Sequence, residues 1–210
     1  MTEVVWTQKL AQGLASLNIE IGDQQQAKLI RYLSLLEKWN QAYNLTSIHQ
    51  DRWVTELLLD ALVGLSQIDK GPILDVGSGA GLPGLPLAIA RPDWAFTLLD
   101  SNGKKTRFIN QVAIDLQLTN VNVVQSRVEE YAVSDGFAFV ICRAFASLDT
   151  ILTSTGHLIA QNGYWVAWKG EKLGAELEKV TQTIRVVETV DVVLPSVPGQ
   201  RYLIKLQPNY

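Results

Sequence analysis

Apolar positions in the first third of the chain recur at helical spacing. In the segment DQQQAKLIRYLSLLEKWNQAYNL, large apolar side chains step by four, three, three and four residues, at Leu29, Leu33, Leu36, Trp39 and Tyr43. This spacing describes one face of an amphipathic helix, so Trp39 and Tyr43 are predicted to face the core. Shorter faces of the same kind precede and follow it, and no convincing strand pattern occurs before Gly71. Residues 1–69 are therefore predicted to form an N-terminal helical extension.

The pattern changes after Gly71. Short β-rich runs, such as PILDV, AFTLLD, FAFVIC and GYWVAW, alternate with helical runs, of which LDTILTSTGHLIA is one. Near-continuous apolar strands of this kind indicate a mostly parallel sheet covered by crossover helices on both faces. The last two runs, IRVVETVDVVL and RYLIKLQ, are joined by PSVPGQ without a helix, which predicts an antiparallel pair at one edge. Residues 70–210 are predicted to form one α/β domain with seven strands, the last of them antiparallel.

The first predicted strand runs into a glycine-rich loop, ILDVGSGAGLPG. Gly77, Gly79 and Gly81 permit positive φ and remove Cβ where the backbone would approach a ligand. In an open α/β sheet, the ligand crevice lies at the carboxyl ends of the strands, where this loop falls. The alternative is a tight strand–helix turn without a ligand.

Three further residues narrow the choice of ligand. Leu82 stands where the dinucleotide fingerprint Gly-x-Gly-x-x-Gly requires its third glycine, so that pattern fails. Asp75 would be a poor neighbour for a pyrophosphate and would suit a cationic amino-acid ligand. Asp100 ends the second predicted strand, about 20 residues after the glycine loop, where an acid can hold ribose hydroxyls. Its alternative is a helix N-cap, but together with the loop it favours an adenosine-type ligand.

Composition excludes several classes of protein. The chain has 210 residues, of which 47% are hydrophobic and 19% charged, so a sizeable core is expected rather than global disorder. A net charge of −3 argues against binding of nucleic acid or membrane through bulk charge, although a local basic face remains possible. The single cysteine, Cys142, fits a reducing cytoplasmic setting. No secretory signal, membrane span or metal-binding set is expected, and His49 and His157 are the only histidines.

Several segments together carry a resemblance to a known family: LDVGSGAGLPGLPLAI, LLDSNGKKTRFI, QSRVEEY, ICRAFASL, WKGEK and the N-terminal KWNQAYNLTSI. They are similar to class I S-adenosylmethionine-dependent methyltransferases. More narrowly, they resemble the glucose-inhibited division protein B family, bacterial 16S rRNA guanine-N7 methyltransferases that act on the decoding-region loop. The resemblance covers nearly the whole chain. It implies a Rossmann-like fold, S-adenosyl-L-methionine as cofactor, and 16S rRNA or the small ribosomal subunit as partner.

The resemblance also implies particular contacts. Gly77 and Leu82 would line the cofactor site, Val128 and Glu129 would flank the adenine, and Arg143 would lie where cofactor and substrate meet. One departure concerns the segment ELLLDAL. Members of the family often carry a histidine and a serine around its acid, whereas this chain has Leu57 and Ala61 around Asp60.

The chemistry of guanine N7 limits what the protein must supply. N7 carries a lone pair and no proton, so attack on a sulfonium methyl needs no general base, and orientation of the reactants can supply most of the catalysis. Arg143 and Lys169, each at the end of a predicted strand, are the catalytic candidates, because basic groups can bond the neighbouring O6. The alternatives are an ion pair for Arg143 and a solvated side chain for Lys169. The candidates for contacts with RNA phosphates are seven basic residues: Lys104, Lys105, Arg107, Arg127, Lys172, Arg201 and Lys205.

Three other functions remain open from the sequence. The first is a methyltransferase for a small molecule or a protein. The second is a nicotinamide-dependent oxidoreductase, which Leu82 and Asp75 disfavour. The third is a cofactor-binding or ribosome-associated module without catalytic activity.

Overall fold

The part of the chain before the sheet is helical, as predicted. The computed structural model describes residues 2–180 and 184–209, so that Met1 and Tyr210, the outer limits of the two predicted regions, lie outside the described residues. Two α-helices come first, α1 (Glu3–Ser16) and α2 (Asp23–Tyr43). A 3₁₀ turn, Gln50–Arg52, follows. A continuous helical stretch is then π-helical over Val54–Leu59, α-helical over Asp60–Leu62 (α3) and 3₁₀ over Val63–Ser66.

Seven strands form one sheet. In chain order they are β1 (Pro72–Val76), β2 (Ala95–Asp100), β3 (Val121–Gln125), β4 (Phe137–Arg143), β5 (Ile159–Lys169), β6 (Ile184–Asp191) and β7 (Tyr202–Pro208). The helices of this region are α4 (Gly84–Ala90), α5 (Gly103–Asp115), α6 (Leu148–Thr155) and α7 (Leu173–Leu177).

The strand order is β3-β2-β1-β4-β5-β7-β6. The first five strands pair in parallel, and β7 runs antiparallel between β5 and β6. The predicted fold class is therefore confirmed, including the antiparallel last strand. The order reverses between β1 and β4, and this reversal opens a crevice at the carboxyl ends of those two strands.

Hydrophobic clusters cover both faces of the sheet. One cluster joins the N-terminal helices to the sheet through residues such as Leu33, Leu57 and Phe96. The other lies beneath α6 and α7 and includes Leu148 and Trp165. The helical extension thus shares one core with the sheet. The predicted domain boundary after residue 69 stays a prediction. None of the described helices is long and apolar enough to cross a membrane.

Two sequence-based expectations were wrong. Tyr43 is 39% exposed, because it is the last residue of α2 and its ring packs beside Trp39 at the helix end rather than in the core. The predicted helix LDTILTSTGHLIA ends at Thr155, and its last two residues open β5, where Ile159 pairs with Phe137. A short apolar run fits either element by pattern alone, and pairing with β4 decides in favour of the strand.

Candidate active site

The glycine loop between β1 and α4 lies at the crevice and is held by the end of β2. The amide of Gly77 donates to the carbonyl oxygen of Leu99 at 2.8 Å. Gly77 has φ of +69°, and a Cβ added there would lie 2.5 Å from Cδ2 of Phe145. Both the backbone conformation and the close aromatic ring therefore require glycine at this position.

Asp100 ties β2 to the glycine loop. Its Oδ2 accepts a hydrogen bond from the amide of Gly79 at 2.9 Å, and its Oδ1 accepts one from the amide of Asn102 at 2.8 Å. The helix N-cap that was the alternative for Asp100 is instead Asn102, whose side chain accepts from the amide of Lys104. Since a carboxylate offers about four acceptor positions, two remain available at Asp100 for ligand hydroxyls.

Asp75 is fully buried beneath the loop. Its Oδ2 accepts a 2.9 Å hydrogen bond from the amide of Gly84 at the start of α4, while its Oδ1 has no hydrogen-bond partner among the described residues. Burial raises the pKa of Asp75 to about 7, although the bond from Gly84 opposes the rise. A nearby cationic group would favour the charged form of this carboxyl. Its predicted contact with the cofactor stays a prediction.

A cleft of about 330 Å³ opens beside the loop. It brings together four of the predicted cofactor residues: Gly77, Asp100, Val128 and Glu129. Lys105, Ala144 and Phe145 also line it. Gly79, Gly81, Leu82 and Asp75 are not part of its lining as the structure describes it; they build the loop behind it, with Gly79 and Gly81 at positive φ.

A second cavity, of about 640 Å³, adjoins this cleft. Arg143 and Lys169, the predicted catalytic residues, both line it. Ala144 and Phe145 line the cleft and the cavity alike, so the segment after β4 forms the boundary between them. Ala144 has φ of +52°, an uncommon conformation for a residue with a Cβ. The RAFASL segment contained this boundary, but nothing in the sequence assigned a role to its Ala144 and Phe145.

Arg143 is held by the helical stretch before the sheet. Its Nη1 donates to Oδ2 of Asp60 at 2.6 Å and to the carbonyl oxygen of Glu56 at 2.8 Å. The ion pair that was the alternative for Arg143 is thus present. Further N–H donors of Arg143 remain available for a ligand, because a guanidinium has five N–H donors and both of these bonds use Nη1.

Lys169 is not the solvated lysine that was its alternative, since its side chain is only 8% exposed. Its Nζ lies 2.6 Å from Oε2 of Glu176 and donates to the carbonyl oxygen of Ala146 at 2.8 Å. Glu176 also accepts from the amide of Leu148. These contacts make the lysine an anchor of the segment after β4, and its predicted contact with substrate stays a prediction.

Of the seven basic candidates for phosphate contacts, four line the two openings, whereas Lys104, Arg107 and Lys205 line neither. Lys105 lies 3.8 Å from Asp100 at the cleft, where Arg127 also lies, whereas Lys172 and Arg201 line the larger cavity. The ammonium of Lys205 instead packs over the rings of Tyr164 and Phe139. Cys142 is buried, and burial raises the pKa of its thiol to about 12, as befits a packing residue. Within the described residues, no cluster of three or more potential metal ligands occurs.

Solved structures of low sequence identity share the fold. A SAM-dependent methyltransferase from Aquifex aeolicus superposes with a TM-score of 0.59 at 18% identity, covering 83% of this chain and 97% of that chain. Another from Geobacter sulfurreducens, in complex with S-adenosyl-L-homocysteine, gives 0.59 at 13% identity, covering 84% and 98%. The fold is therefore that of the class I S-adenosylmethionine-dependent methyltransferases.

Sequence comparison narrows the class to a family. The chain belongs to the GidB family, whose model, described as rRNA small subunit methyltransferase G, matches residues 25–204. Proteins named Ribosomal RNA small subunit methyltransferase G are similar over nearly their whole length. The one from Shewanella amazonensis is 43% identical over 200 residues, covering 95% of this chain and 97% of that protein. The one from Nitrosococcus oceani is 45% identical over 201 residues, covering 95% and 94%. The predicted family is confirmed, and the oxidoreductase alternative is thereby disfavoured.

Proposed function

We propose that this protein transfers the methyl group of S-adenosyl-L-methionine to N7 of a guanine in 16S rRNA. Family membership supports the reaction class and the type of RNA. The observation that carries the proposal is the pair of adjoining openings, which meet at Ala144 and Phe145. One opening has the residues expected for the methyl donor, and the other has room for a nucleobase and basic side chains to meet it.

The residues of the smaller cleft fit S-adenosyl-L-methionine. Asp100 has two acceptor positions for the ribose hydroxyls, and Val128 offers an apolar wall for the adenine. A positively charged group near the unpaired Oδ1 of buried Asp75 would stabilise the charged form of this carboxyl. When bound, this cofactor supplies an electrophilic methyl group on a sulfonium. We extend the proposed cofactor set to all of the predicted residues: Asp75, Gly77, Gly79, Gly81, Leu82, Asp100, Val128, Glu129 and Arg143.

The protein's own contribution is positioning. N7 attacks without losing a proton, so no residue has to act as a general base. Arg143 is proposed to donate its free N–H groups to O6 or a neighbouring acceptor and so to orient the purine. Lys169 is proposed to contribute from the same cavity, chiefly by fixing Ala146 and with it the segment that separates the two openings. The expected gain comes from alignment of the reacting atoms.

The substrate is proposed to reach the cavity as an unpaired base. In A-form RNA the major groove is deep and narrow, so N7 is accessible mainly in loops or splayed nucleotides. We extend the proposal to 16S rRNA within the small ribosomal subunit, assembling or mature, as the partner, and to the cytoplasm as the place of action. Residues 70–210 are proposed to bind the cofactor, and residues 1–69 to complete the substrate side.

Two measurements test this function in solution. Calorimetry is expected to give saturable binding of S-adenosyl-L-methionine and none of NADH. Incubation with tritiated cofactor and unmethylated 16S rRNA or small subunits is then expected to release 7-methylguanosine on nuclease digestion. Label on protein or on a small molecule alone, with none on RNA, would favour the alternative methyltransferase class. Binding of NADH without the methyl donor would reject the reaction.

A further inference from the structure

Asp60 lies at the centre of a cluster that joins the helical stretch before the sheet to the wall of the larger cavity. Its Oδ2 is 2.6 Å from Nη1 of Arg143, at the end of β4. Its Oδ1 is 3.9 Å from Nε of Arg201, which precedes β7. One carboxylate from the N-terminal part of the chain thus faces two guanidinium groups, one at the end of β4 and one just before β7.

The backbone around Asp60 is fixed as well. The indole Nε1 of Trp168, on β5, donates to the carbonyl oxygen of Asp60 at 2.7 Å. One turn earlier, the carbonyl oxygen of Glu56 accepts the second bond from Arg143. The irregular helical stretch 54–66 is therefore held to the sheet at Glu56 and at Asp60, and the carboxylate of Asp60 in turn fixes the rotamer of Arg143.

Burying the charged groups of this cluster costs free energy. Burial raises the pKa of Asp60 above its ordinary value, and the guanidinium of Arg143 opposes that rise. Two partly buried guanidinium groups would otherwise repel each other near one wall of the cavity. A buried ion pair of this kind contributes little net stability compared with apolar packing, so a role in orienting side chains gives a better reason for its presence.

All three side chains line the 640 Å³ cavity, on the side that the proposed function assigns to the RNA. We propose that Asp60 is a positioning residue for methyl transfer, which holds Arg143 and Arg201 so that their remaining N–H donors face the acceptor groups of the target nucleotide. This inference rests on the proposed function and deepens it. The helical extension then contributes to the substrate site through Asp60, which acts by holding the two arginines.

Asp60→Asn tests the proposal with almost no change in side-chain shape. We expect kcat for methyl transfer to fall by about 100-fold, because a misplacement of reacting groups by about 1 Å can lower the rate by about that factor. Binding of S-adenosyl-L-methionine should weaken far less than kcat falls, since Asp60 does not line the cofactor cleft and Arg143 lies in the adjoining cavity. Asp60→Glu, which keeps the charge, should recover part of the rate. Asp93→Asn, which removes an exposed carboxylate paired with Lys70, is the matched control and should leave kcat unaltered.

A second readout needs no RNA. Labelling with phenylglyoxal, mapped by mass spectrometry, should modify Arg143 and Arg201 several-fold faster in Asp60→Asn than in the wild type or in Asp93→Asn. In a double-mutant cycle, Arg201→Gln should cost less rate in the Asp60→Asn background than in the wild type.

Three results would overturn the positioning role. The first is a kcat within about twofold of wild type in a folded Asp60→Asn variant. The second is a rate loss that follows loss of folded protein, with arginine labelling unchanged. The third is a wild-type protein that methylates no 16S rRNA, which rejects the proposed function and this role with it. In that case, faster labelling in Asp60→Asn would still show that Asp60 holds the arginines, so the two failures are distinguishable.

Discussion

The hydroxyl of Tyr32, in α2, donates a 2.9 Å hydrogen bond to the carbonyl oxygen of Ala80, in the glycine loop. The two residues are 48 positions apart, and the tyrosine is fully buried. Burial raises the pKa of Tyr32 well above its ordinary value, so the hydroxyl remains a donor. A helix of the N-terminal extension therefore braces the loop proposed to hold the cofactor.

Tyr32→Phe removes this brace without emptying the core. The variant should lose about 1 kcal/mol of unfolding free energy and bind S-adenosyl-L-methionine about fivefold more weakly, because the Ala80 carbonyl loses its donor. Urea unfolding and calorimetry measure the two effects. Tyr43→Phe, in the same helix but exposed, is the matched control and should alter either quantity little. Wild-type affinity in Tyr32→Phe would show that the brace does not affect the cofactor site.

Gly77→Ala introduces a Cβ against Phe145 at positive φ. The strain, about 1–2 kcal/mol from the backbone alone, should lower affinity for S-adenosyl-L-methionine by at least about tenfold. Calorimetry checks this. Gly174→Ala serves as control, since a Cβ there meets nothing within 4 Å and α7 should if anything be stabilised. The double variant Gly77→Ala/Phe145→Ala should recover only part of the affinity, because the backbone strain remains.

Asp75 should make stability depend on pH. Its pKa rises from 3.8 to about 7 on folding, so between these values the folded protein holds a proton that the unfolded chain has lost. Its contribution to the free energy of unfolding is therefore largest below pH 3.8, falls as pH rises to about 7, and is then constant. Urea unfolding across this range should show that fall in the wild type and in Asp93→Asn, and much less of it in Asp75→Asn. Parallel profiles for wild type and Asp75→Asn would contradict the assignment.

Lys169→Met should destabilise the protein because it leaves the carboxylate of Glu176 without its cation. Glu176 would lose its cation while its side chain is only 22% exposed, which should cost about 3 kcal/mol of unfolding free energy. Adding Glu176→Gln removes the stranded charge and keeps an oxygen for the amide of Leu148, so part of that loss should return. Denaturant unfolding of the wild type, Lys169→Met, Glu176→Gln and the double variant measures the coupling energy between the two side chains. Strictly additive effects would mean that the ion pair does not anchor the segment after β4.

The sequence predicted the sheet and the glycine loop because both follow from local pattern. Alternation of apolar strands with helices determines a parallel sheet, and its topology puts Gly77, Asp100 and Arg143 at one edge. Contacts across long separations carry no such local pattern. Arg143 meets Asp60 over 83 residues, and Tyr32 meets Ala80 over 48. Both pairs depend on how the N-terminal helices pack on the sheet, which periodicity leaves undetermined.

The same limit explains the residues at the boundary between the two openings. RAFASL could be assigned to the end of a strand, but the positive φ of Ala144 and the packing of Phe145 against Gly77 follow from the loop conformation. The solvated state considered for Lys169 failed for a similar reason. Glu176 follows Lys169 by seven residues, and its position depends on how the chain turns from β5 into α7.

The most direct test of guanine-N7 methylation is mass mapping of 16S rRNA from cells with and without the gene. Nuclease fragments from the deletion strain should contain one guanine that lacks its N7 methyl, and a plasmid copy of the gene should restore it. If every N7-methylated guanine of 16S rRNA persists in the deletion strain, the proposed substrate is wrong.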